Sequence, residues 1–94
     1  MDKRRINKAI QDCLTIGPLD NWDYRKKISA KYGEDILREI LIILEYMNTI
    51  RPEWPAESFD GFLLRARKAI EGKYPLLKKE SVDVLINRIA YGYK

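Results

Sequence analysis

The chain has 94 residues, with 18 Lys and Arg against 14 Asp and Glu, no histidine and one cysteine. That length predicts one domain over 1–94, able to bury about 65% of its unfolded surface. A lone cysteine and no histidine exclude an internal disulfide, the usual zinc and iron–sulfur ligand sets, and every catalytic scheme built on an imidazole. An apolar fraction of 46% argues against disorder.

The first predicted helix runs over 2–16, where Ile6, Ala9, Ile10, Cys13 and Leu14 share one stripe. Gly17-Pro18 ends it, because glycine accepts the left-handed turn and proline cannot continue the helix. Cys13 lies within the stripe, which predicts a buried structural thiol. Lys3, Arg4, Arg5 and Lys8 lead into polar Gln11 and Asp12 rather than an apolar run, so no secretory signal is expected. With no spanning stretch either, the expectation is a cytoplasmic protein with no membrane partner.

The second predicted helix starts at Asp20, whose carboxylate suits an N-cap, with Leu19 and Tyr24 spaced as a hydrophobic staple. Tyr24, Ile28 and Tyr32 form a thin apolar stripe, and Gly33 stops the helix. The third spans 34–49. Ile36, Leu37, Ile40, Leu41, Leu44 and Met47 make its main face, while Ile42, Ile43 and Tyr46 widen it. A helix apolar on so many sides is expected to be central, with the others packed around it.

Arg51-Pro52-Glu53-Trp54-Pro55 cannot lie within a helix, since each proline lacks an N–H and restricts the residue before it. The fourth predicted helix follows, capped by Ser58 and ending at Gly72, with Phe59, Phe62, Leu63, Ala66 and Ile70 inward. Gly61 in its first turn is a mild cost. The fifth covers 79–91, with Val82, Leu85, Ile86, Ile89 and Tyr93 on one stripe. Its start is poorly marked, because Lys78 is a weak cap. No stretch alternates with period two. The fold class is therefore all-α: a single-domain bundle of about five helices around the apolar 34–49 helix.

Chemical motifs are sparse. Asp20 with Asp23, and Glu34-Asp35 with Glu39, fall near helix starts, where capping and the macrodipole account for them. The glycines are isolated, so no phosphate loop or calcium loop is present. The stretch from Lys27 through Gly33 into Ile36 has the outline of a helix-turn-helix, with Ser29 four before the glycine. Its second helix would be Ile36–Leu44, too apolar to read base edges. No cofactor and no enzymatic activity are expected.

What remains is binding. Aromatic and arginine side chains anchor protein interfaces out of proportion to their number. The candidates are Trp54, Arg51, Trp22, Tyr91 and Tyr93, with Trp54 acting either as a lid on the bundle or as a binding hot spot. The leading expectation is a non-catalytic protein–protein interaction module: a helical adaptor, a regulatory subunit or an immunity- or antitoxin-like inhibitor. A net charge of +4 argues against an inhibitor that mimics nucleic acid, which would be acidic. The alternative is nucleic-acid binding through a basic face built from Lys3, Arg4, Arg5 and Lys8 with Arg65, Arg67 and Lys68.

Overall fold

The structure, a computed structural model, describes residues 3–14 and 24–92. Among these there are five helices and no strand: α1 (Lys3–Cys13), α2 (Tyr24–Tyr32), α3 (Glu34–Met47), α4 (Phe59–Lys73) and α5 (Lys79–Gly92). The all-α expectation holds, element by element and in order. The predicted Gly17-Pro18 stop, the Asp20 cap, Leu19, Asp23 and the Trp22 and Tyr93 candidates lie outside the described residues.

One buried cluster draws on all five helices. Ile6, Ile10, Leu14, Ile28, Ile40, Phe62, Ile70 and Leu85 are fully enclosed. Each such side chain contributes on the order of 1.5–3 kcal/mol by leaving water. The stripe predicted on α1 is buried, with Cys13 half-buried at its edge. The face of α3 is turned from the expected one. Ile36, Ile40, Ile43 and Met47 are buried, Leu37 and Leu44 partly so, and Ile42 is 47% exposed. The direction of burial is set by the neighbours: α3 packs mainly on α2 and α1, which leaves its far side in water. The central role is shared, since α1 packs against α2, α3 and α5.

The helix ends show how the local chemistry works. Gly33 closes α2 with φ of +102°, a backbone region that side chains rarely adopt, and its N–H donates to the Ile28 and Ser29 carbonyls. The Arg5 guanidinium donates to the carbonyl of Tyr32, so α1 helps to cap α2. Beyond Met47 the chain tightens instead of continuing to 49: Thr49 N–H donates to Tyr46 and Ile50 N–H to Met47, each three residues back. Pro52, which keeps Arg51 out of the helical region, forbids another turn. Ser58 caps α4 as expected, its hydroxyl accepting from Gly61 N–H at 3.0 Å. The glycine there has a reason, because a Cβ would sit 3.0 Å from the same hydroxyl.

The weak start of α5 is rescued from a distance. The Asn7 side-chain oxygen accepts from Lys78 N–H at 2.7 Å and from Ser81 hydroxyl at 2.6 Å. Its amide donates to the carbonyls of Lys3 (2.8 Å) and Leu76 (3.1 Å). Gln11 donates to Ser81 at 3.1 Å. Asn7 and Ser81 are both buried, and among the described residues no buried side-chain nitrogen or oxygen lacks a partner.

Candidate functional site

The segment from Arg51 to Ser58 is held by one arginine. Arg65 on α4 meets Glu57 with two parallel bonds, Nε–Oε2 at 2.8 Å and Nη2–Oε1 at 2.9 Å, and Nη2 also reaches the Arg51 carbonyl. Glu57 in turn accepts from Glu53 N–H. The bidentate guanidinium beside it, followed by that backbone N–H, holds the Glu57 carboxyl below its ordinary range, and Glu57 holds Arg65 above its own. Arg65 also stands over the Phe62 ring, 5.8 Å from its centroid.

Trp54 sits on this brace. Its indole stacks on Phe59 (centroids 6.4 Å apart, planes at 23°) and meets Phe62 edge to face (6.2 Å, 67°). Half of it, 50%, remains exposed. It is therefore partly a lid and partly an open face. The Arg51 side chain is exposed and makes no ion pair among the described residues.

Arg51 also lines a hollow of about 300 Å³ with Met47, Ile50, Arg88 and Gly92. A second hollow of about 260 Å³ adjoins it, sharing Met47, Asn48, Arg88 and Ile89 and reaching Tyr24. Arg88 stacks on Tyr24 and donates to the Leu14 carbonyl, tying the ends of α1 and α2 to α5. Tyr91, 59% exposed, lies one residue from Gly92 on the same end of α5. Arg51 thus belongs both to the Trp54 shoulder and to the end of α5.

No protein-family model, curated protein or solved structure matches this chain.

The basic candidates are not assembled as expected. Arg65 is spent on Glu57, and Arg67 pairs with Asp83 and, more loosely, with Glu71. Arg5 is turned toward Tyr32 and Asp35. α1 and α4 both pack on α5, which bridges them. Lys3, Arg4 and Lys8 are exposed on α1 and Lys68 on α4.

A cluster that sequence reading missed joins α1 to α2. Asp12 accepts from Lys31 Nζ at 2.8 Å and from the Tyr32 hydroxyl at 2.9 Å. The Lys31 bond, then the Tyr32 bond, pulls the Asp12 carboxyl below its ordinary range. Burial, then the neighbouring Asp12 charge, raises the Cys13 thiol above its ordinary range, which disfavours the nucleophilic thiolate. A depressed carboxyl stabilises the fold above its unfolded pKa, and that contribution disappears as the pH falls through the lowered folded value. Asp12→Asn is accordingly expected to lower the unfolding midpoint slightly at neutral pH and to leave it unchanged in strong acid. Paired melts at the two pH values check this.

Among the described residues no group of three or more Cys, Asp and Glu could hold a metal ion. No helix among them is long and apolar enough to cross a membrane.

Proposed function

We propose that this protein is a non-catalytic interaction module that grips a partner protein with the shoulder formed by Trp54 and Arg51. The observation that carries the reading is the half-exposed indole on a pinned segment. An aromatic ring fixed before binding loses little conformational entropy when it docks, and this is the economy that makes tryptophan and arginine frequent hot spots. Phe59 and Phe62 hold one face of the ring, and Arg65 fixes the segment on either side. Tyr91 and the hollow beside Arg51 extend the same end of the bundle. A regulatory subunit, an adaptor and an immunity- or antitoxin-like inhibitor all fit this mode of action.

The test is capture of a partner by the tagged full chain from its native cell, with nuclease treatment in parallel. Trp54→Ala is expected to weaken nuclease-resistant capture by about 2 kcal/mol, roughly thirtyfold. Its thermal midpoint should fall by only a few degrees, as suits a ring that is half in water. A large fall in the midpoint with capture unchanged would reduce Trp54 to a lid and remove the proposal.

A further inference from the structure

The seam between α1 and α5 gathers positive charge that the sequence places near its two ends, at Lys3 to Lys8 and at Lys78 and Lys79. Asn7 binds the Lys78 N–H and the Leu76 carbonyl, and Gln11 binds Ser81. These bonds place the start of α5 directly against the exposed flank of α1. On that flank stand Lys3, Arg4 and Lys8, and across the seam stand Lys78 and Lys79. All five are exposed, and none makes an ion pair among the described residues. Residues 3–11 contain no acid, and Glu80 is the one acid in 76–81. By contrast, the arginines proposed from the sequence on α4 are engaged, Arg65 by Glu57 and Arg67 by Asp83, and Lys31 on α2 is held by Asp12.

We infer that this seam is a nucleic-acid-binding surface that takes the phosphate backbone without reading sequence. Three features decide its partner. Four lysines and one arginine with no aromatic among them is a poor protein interface, since interface cores favour aromatics and arginine and are depleted in lysine. A basic surface that docks on lipid normally inserts apolar side chains. Here the large exposed ones, Ile42, Trp54, Leu64 and Tyr91, lie on α3, on α4 with its leading segment, and at the far end of α5. The two amides in the seam, Asn7 and Gln11, are already engaged within the protein, so neither is presented to base edges. What is left is point charge, which suits phosphates. This surface is distinct from the Trp54 shoulder, so either can fail without the other.

The experiment is a salt titration of the full chain with a fluorescent mixed-sequence duplex and the matching single strand. Five phosphate contacts give a log–log slope of about −4.5 on duplex, a roughly 500-fold weakening between about 50 and 200 mM salt. Lys78→Ala with Lys79→Ala should make that slope shallower by about two units. Lys26→Ala with Lys68→Ala removes the same charge from α2 and α4 and should leave the slope unchanged. All four side chains are exposed and make no ion pair among the described residues, so the melting curves should overlay. No binding at low salt, a slope near zero, or equal effects of the two pairs would overturn the inference. So would tight binding to phosphatidylserine vesicles or to a polyglutamate peptide with none to nucleic acid.

Discussion

An Asn7→Leu protein is expected to unfold roughly 10–20 °C below the parent, a loss of about 3 kcal/mol. The substitution roughly conserves volume, so little of the loss comes from a cavity. It comes from polar groups. Asn7 is 2% exposed and makes four side-chain bonds, to Lys3, Leu76, Lys78 and Ser81. Leucine leaves the Leu76 carbonyl and the Lys78 N–H without that partner and strips the fully buried Ser81 of its shortest bond. An unmatched buried polar group costs about 1–3 kcal/mol, more than its bond contributes when made. The penalty should fall on one place, so hydrogen exchange is expected to rise first at the opening turn of α5. Ser81→Ala alone should cost about 1 kcal/mol. The double variant should lose less than the sum, because removing the hydroxyl also removes an orphan. Additivity within about 0.5 kcal/mol would show that the two side chains do not act as one unit.

The same residue marks where the sequence stopped being readable. A cap on a neighbouring residue is legible: Ser58 with Gly61 three positions later, or Gly33 at the end of a stripe, is local chemistry, and each was placed correctly. The cap of α5 was not, because its oxygen comes from 71 residues away and Lys78 carries no sign of it. Charge pairing fails for the same reason. Arg65 reads as an outward base until Glu57 is brought beneath it, and Asp12 lies 19 residues from Lys31. The basic runs Lys3–Lys8 and Lys78-Lys79 are each visible in the sequence, which offers α4 as the first run's neighbour, but the Asn7 and Gln11 contacts that bring α5 there are not. Periodicity showed that α3 has an apolar face wider than one stripe. Which part of it is buried depends on where α1 and α2 sit, and so Ile43 is enclosed while Ile42 is not. Trp54 was legible as a rigid aromatic between two prolines. Whether it was lid or contact could not be read, since the answer lies in how much of the ring Phe59 and Phe62 cover.

That coverage makes Phe62 the residue where stability and the proposed binding meet. Phe62→Ala is expected to cost about 3–5 kcal/mol and to lower the thermal midpoint by roughly 20 °C or more. The side chain is fully enclosed, so its removal opens a cavity, and it takes with it the edge contact of Trp54 and the ring under Arg65. The loss of fold would mask any loss of binding. Phe62→Leu separates them. It keeps most of the apolar volume and should cost about 1.5 kcal/mol or less, yet it offers Trp54 no aromatic edge and Arg65 no π face. If the ring beneath Trp54 presents the indole, Phe62→Leu should reduce partner capture by several-fold in a protein that still melts cooperatively. Phe62→Leu and Trp54→Ala should then be non-additive in capture, because both act through one indole. If capture is untouched by Phe62→Leu but lost in Trp54→Ala, the posture of the indole is owed to Phe59 and to the segment pinned by Arg65, and Arg65→Ala becomes the variant that disables binding.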